Sequence, residues 1–140
     1  GEGFEAVTAD GTRYRFDWMA QNNEAPLEQP VTPPPNAAAL QRRRNVLYAT
    51  LVTDRHGNTV SYSFSNAWNA PVKLDEINAS DGRRITLGWT AGRLTSVSAN
   101  GRTWSYAYNA QGTSLTSVTL PDQRSWAINL QPLTGATIDF

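Results

Sequence analysis

The chain has 140 residues, 39% of them hydrophobic and 17% charged, and its 12 basic side chains cancel its 12 acidic ones. A neutral chain has no general electrostatic pull towards nucleic acid or acidic membranes, and without Cys it has no disulfide framework, thiolate chemistry or Cys-based zinc site. No apolar run approaches the roughly 18–20 residues of a membrane span, while five Trp and five Tyr supply the large buryable surfaces of a folded domain.

Taken in chain order, the elements are copies of one pattern, and together they predict a single all-β domain over residues 1–140. The first hairpin, residues 4–19, carries Phe4 and Val7, a turn at Asp10-Gly11, then Tyr14 and Phe16 in alternation. An insertion follows over about residues 20–45. Within it, residues 24–38 read EAPLEQPVTPPPNAA and hold five of the eight prolines, so they are expected to be extended and strand-free. The one helix candidate is Asn36 to Arg44, with Asn36 as its cap.

The repeats then fill about residues 46–140. Leu51 to Phe64 turns at Asp54-Arg55-His56-Gly57-Asn58, and Leu74 to Trp89 turns at Asp81-Gly82. Leu94-Thr95-Ser96-Val97 passes through Asn100-Gly101 to Trp104, Tyr106 and Tyr108. Leu115-Thr116-Ser117-Val118 passes through Asp122-Gln123 to Trp126, Ile128 and Leu130. Asp-Gly and Asn-Gly supply the positive φ angles of two-residue hairpin turns. Gln123 breaks this rule. Pro121 presets a type I turn, which predicts that this turn has changed type and leaves Gln123 unstrained. The pattern as a whole predicts about ten strands, an array of about five antiparallel hairpins forming a twisted or spiralling sheet.

Leu-x-x-Val, then Asn-Gly-Arg, then aromatic-x-Tyr-x-Tyr-Asn-x-x-Gly resembles the RHS/YD-repeat family of bacteria. The likeness is clearest from Gly92-Arg93-Leu94 to Tyr108-Asn109-Ala110-Gln111-Gly112, and Asp54-Arg55-His56-Gly57-Asn58 resembles an RHS turn. It covers nearly the whole chain except residues 20–45. The resemblance implies a structural segment of a large shell or surface protein, one that encloses or delivers a toxic segment or makes cell-surface contact. It implies a secreted or cell-envelope location, and sugar binding has been suggested for such repeats. The self-cleaving signature of the family's shells is missing, since Gln131-Pro132-Leu133-Thr134-Gly135 is only a superficial echo.

Candidate chemistry is sparse. His56, the sole histidine, sits two residues after Asp54 with no nucleophile or oxyanion site indicated, so no catalytic residue is assigned. Asp75 and Glu76 are adjacent on a predicted strand and point to opposite faces, unlike a glycosidase pair. No metal and no cofactor is expected. Arg42-Arg43-Arg44 reads as a solvated end of the insertion rather than a nucleic-acid patch. Trp89, Trp104 and Trp126 alternate into the packed face and read as core. Trp68, in the loop from Asn66 to Pro71, is the first ligand-binding candidate, and Trp18 the second; an alternative function is therefore a carbohydrate- or surface-binding module. The chain starts almost inside a hairpin and ends on the apolar alternation Ala136 to Phe140. The expectation is a piece of a longer array whose partners are neighbouring repeats, glycans or cell-surface components, with self-association through edge strands.

Overall fold

A computed structural model describes residues 3–28, 39–67 and 69–129. Those residues form ten strands and no helix, and the strands follow one another in sheet order as they do in the chain. The chain divides into two compact units, Gly1–Leu74 and Asp75–Phe140. The first unit holds β1 (Phe4–Val7), β2 (Arg13–Glu28), β3 (Ala39–Thr53) and β4 (Thr59–Ser65). At the division lies β5 (Lys73–Ala79), followed by β6 (Arg84–Thr90), β7 (Arg93–Ala99), β8 (Arg102–Tyr108), β9 (Leu115–Thr119) and β10 (Ser125–Ala127). The five predicted hairpins are present as β1–β2, β3–β4, β5–β6, β7–β8 and β9–β10, all antiparallel.

Alternation sets the burial. Along β2, Tyr14, Phe16 and Trp18 are half-buried while Arg13, Arg15 and Asp17 are exposed, and the same beat runs through Trp104, Tyr106 and Tyr108 of β8. Among the described residues, only Ala20 is fully buried. Half-burial is what a sheet gives its apolar positions when side chains meet chiefly their cross-strand neighbours. Trp126 departs from its predicted core place: at 66% exposure it stands on the short strand β10, beside which no further strand is described.

Pairing corrects the strand-free expectation for residues 24–28. β2 and β3 continue as a long hairpin, with Gln21 opposite Asn45, Glu24 opposite Arg42 and Leu27 opposite Leu40. Pro26 is accommodated because the register shifts between Glu24 and Leu27, where a missing N–H breaks no regular ladder. Ala39 to Arg44, the described part of the predicted helix, belongs to β3 instead. Cross-strand partners override a weak helical preference there, with Arg44 Nε 3.1 Å from a Glu24 carboxylate oxygen. Residues 29–38, with the other prolines of that segment, lie outside the described residues.

Candidate functional site

The repeat itself is the best-defined site in the chain, and it begins with a bulge. Thr95 is the extra residue opposite the step from Gly88 to Trp89, and Thr116 the extra residue opposite Ala107 to Tyr108. Thr50 holds the same place opposite Arg15 to Phe16. At Thr95 and Thr116 the hydroxyl donates across the sheet to the carbonyl that precedes the step. Thr95 reaches Gly88 at 3.2 Å and Thr116 reaches Ala107 at 3.1 Å, whereas the Thr50 hydroxyl donates to the Asp17 carboxylate and only lies 3.5 Å from the Arg15 carbonyl. The extra residue also explains a spacing that a plain strand forbids. Leu94 and Val97 lie three apart, yet they pair with Trp89 and Leu87 and so share one face. Leu115 and Val118 do the same opposite Tyr108 and Tyr106.

The turns come next. Those at Thr8–Thr12, Asp54–Asn58, Ala79–Arg83 and Leu120–Arg124 share two backbone hydrogen bonds, as in Ala79 N to Arg83 O at 2.9 Å and Gly82 N to Ala79 O at 3.0 Å. Only the fourth residue has positive φ: Gly11, Gly57, Gly82 and Gln123. This is a type I turn followed by a left-handed bulge residue, a three-residue loop. The predicted two-residue turn, with positive φ at both centres, is found at Asn100-Gly101 and at Ala91-Gly92. Gln123 therefore keeps the geometry of its glycine counterparts, at φ 67°, and the predicted change of turn type is corrected. Pro121 does sit where it presets a type I turn, but the left-handed residue lies beyond the turn's centre.

Carboxylates lock these loops. Asp81 accepts from Arg83 N at 3.1 Å and from Arg83 Nε at 2.7 Å, and Asp122 treats Arg124 alike at 3.1 and 2.6 Å. The side-chain hydrogen bond from the arginine is the leading cause that holds each carboxyl below the usual range. At Asp10 the leading cause is the Thr8 hydroxyl, and at Asp54 the Asn58 side-chain amide. His56 is placed by this chemistry: Asp54 Oδ1 accepts its backbone N–H at 2.8 Å, and its Nε2 accepts from Arg55 Nε at 3.0 Å. Asp54 thus engages the backbone of His56, in an exposed turn.

A clasp joins successive turns. Arg93 Nε donates to the Gly112 carbonyl and its Nη2 reaches the Gln111 carbonyl at 3.5 Å, while the Tyr108 hydroxyl donates to the Leu94 carbonyl at 2.9 Å. Asn109 closes its own loop, its Oδ1 accepting from Thr113 N at 2.8 Å. Neither Arg93 nor the bulge threonines were singled out by the sequence reading. The off-period Leu-x-x-Val spacing was the signal that marks the bulge.

Trp18 packs with Tyr48 and Phe64, its ring centroid 5.8 and 5.4 Å from theirs, in a half-buried cluster across β2, β3 and β4. Trp68 lies outside the described residues. No group of three or more His, Cys, Asp or Glu able to hold a metal occurs among the described residues. One shallow depression of about 560 Å³ lies between two turns of the second unit, lined by Gly101, Arg102, Trp104, Leu120, Pro121 and Asp122.

A bulge threonine and a carboxylate-locked turn that recur along one chain, with a clasp between two successive turns, define an all-β hairpin-repeat protein. Residues 88–125 match the family model described as RHS Repeat, which supports an RHS/YD-repeat family protein. The matched stretch runs from Gly88 at the bulge, through the Arg93–Gly112 clasp, to the start of β10. No curated protein matches the chain.

Proposed function

We infer that the chain is a non-catalytic wall segment of an RHS/YD shell or surface protein that takes part in toxin encapsulation, delivery or cell-surface contact. The observation that carries this reading is the recurrence of one threonine bulge, at Thr50, Thr95 and Thr116. Selection for a wall acts on the joint between hairpins, since each hairpin buries its apolar face only against its neighbours. The recurring side-chain chemistry in such a protein is then structural and sits in turns and bulges. That is where the hydrogen-bonded side chains of this chain concentrate.

The location is tested by antibody against this chain on intact, unpermeabilised producing cells and on their culture fluid. Label at the surface or in the fluid is expected. Label that appears only after permeabilisation overturns the surface and delivery roles.

A further inference from the structure

We propose that Asn100 is a site of spontaneous covalent modification: it loses its side-chain amide to the backbone nitrogen of Gly101, and the isoaspartyl product breaks the β7–β8 turn. Asn100 and Gly101 are both exposed, at φ 50° and 72°, and form the two-residue turn of that hairpin. In such a turn the closing bond skips the second central residue, whose N–H is left over. Gly11, Gly57, Gly82 and Gly112 are placed differently, since each donates its N–H to a carbonyl of its own turn, Gly112 to Asn109 at 2.8 Å. Gly101 N makes no such bond among the described residues. Nothing lies within 4 Å of a Cβ built at Gly101, so the space around it is open as well.

The Asn100 amide likewise has no hydrogen-bond partner among the described residues. Other asparagines are held. Asn58 Nδ2 donates to Asp54 at 2.7 Å, Asn45 Oδ1 accepts from Gln21 at 2.9 Å, and Asn109 Oδ1 accepts from Thr113 N at 2.8 Å. Asn78 precedes Ala79, whose N–H is bound to the Arg83 carbonyl at 2.9 Å. At Asn100 alone of these five are the amide and the following nitrogen both unengaged. The nitrogen of Gly101 attacks Asn100 Cγ: the N–Cγ bond forms, the Cγ–Nδ2 bond breaks, and Nδ2 leaves as ammonia with the proton that the Gly101 amide gave up through water. With no Cβ, Gly101 does not crowd the closing five-membered imide. Water then opens the imide. Addition at Cγ gives aspartate, and addition at the Asn100 backbone carbonyl gives isoaspartate, whose main chain runs through Cβ and Cγ. Either product adds one negative charge. Asp-Gly still suits the turn, but the isoaspartyl chain is one carbon longer where Ala99 must face Arg102 and Val97 must face Trp104.

The test is incubation of the 140-residue chain in mildly alkaline buffer made with heavy-oxygen water, followed by peptide mapping. The peptide that holds Asn100 is expected to gain one heavy oxygen and to split into aspartyl and isoaspartyl forms. Its rate should exceed that of the peptides holding Asn45, Asn58, Asn78 and Asn109 by about tenfold or more, and should lie within about tenfold of the rate in the urea-unfolded chain. A fold that slows the reaction at Asn100 by more than this overturns the proposal, as does equal reaction at the held asparagines. The isoaspartyl chain, separated by ion exchange, should unfold at lower urea than the parent, while Asn100→Asp stays close to the parent. An isoaspartyl chain as stable as Asn100→Asp overturns the breaking of the turn. Asn100→Gly, which keeps a favoured turn pair and removes the amide, should form no acidic species from this peptide; one that does so places the reaction at another residue.

Discussion

The guanidinium of Arg93 occupies the space above Gly112 that a side chain would need. Gly112 has φ 66°, and a Cβ built there collides with the Arg93 guanidinium whose Nε binds the Gly112 carbonyl. The glycine of the Asn-x-x-Gly turn is thus required twice, for its backbone angle and for the arginine of the preceding turn. Gly82 gives the contrast: its φ is 88°, but nothing lies within 4 Å of a Cβ there. Gly82→Ala should cost about 1 kcal/mol, the left-handed penalty alone. Gly112→Ala should cost more, about 2 kcal/mol, because the clasp is also broken. Urea titrations of the two variants check the order. Equal losses would show that Arg93 moves aside freely.

The bulge threonines yield a second prediction. Thr95→Val keeps the β-branched shape and removes the hydroxyl that donates to Gly88 O, and Thr116→Val does the same at Ala107 O. Each should destabilise by about 0.5–1.5 kcal/mol, the net worth of one hydrogen bond. Partial exposure places Thr116, the more open of the two, at the low end. Comparison of urea midpoints against Thr103→Val, a strand position whose hydroxyl meets only the Ser98 hydroxyl, isolates the bulge contribution.

Much of this fold was legible in the sequence because it is written locally. Alternation at Trp104-x-Tyr106-x-Tyr108 and glycine after Asp or Asn fix strands and turns within a few residues of each other. What was missed depends on partners far along the chain. The long β2–β3 hairpin is decided by pairs such as Gln21 with Asn45, whose side chains are hydrogen-bonded at 2.9 Å, and five nearby prolines outweighed them in a local reading. Trp126 read as core because alternation gives a side chain's face but not the presence of a neighbour to cover it. The depression was illegible for a related reason: Trp104 of β8 and Pro121 of a later turn line it together only in the folded sheet.

A third prediction concerns acid. The carboxyls of Asp10, Asp54, Asp81 and Asp122 are all held below their usual range by hydrogen bonds made in the folded turns. A carboxyl whose folded pKa is depressed binds protons less readily than in the unfolded chain. Its contribution to stability is therefore complete above the ordinary carboxylate range and is lost as pH falls through the lowered folded values. The urea midpoint should stay level from neutral pH down to about pH 5 and fall below that. Asp81→Asn should lower the midpoint at neutral pH and make the acid decline shallower, since one of the four groups no longer titrates. A decline equally steep in the variant would mean that the turn carboxylates are not what acid removes.

The last prediction turns on Gln123. Its loop repeats the hydrogen bonds of the glycine loops, with Leu120 N to Arg124 O at 2.7 Å and Gln123 N to Leu120 O at 3.0 Å. Its φ of 67° sits in the left-handed region with those of Gly11, Gly57 and Gly82. A side chain there costs roughly 1–2 kcal/mol against its own backbone. Two neighbours hold it in place: Pro121 fixes the first half of the turn, and Asp122 locks the far side through Arg124. Gln123→Gly should relieve the strain but add entropy to the unfolded chain, worth about 0.4–1 kcal/mol in the opposite direction. The balance is a stabilisation of about 0.5–1 kcal/mol. A raised urea midpoint with an unchanged slope is the expected reading. A lowered midpoint would show that the glutamine side chain makes a compensating contact in solution. Pro121→Ala provides the cross-check, since loss of the preset φ should weaken the same loop and make the gain from Gln123→Gly larger in the double variant.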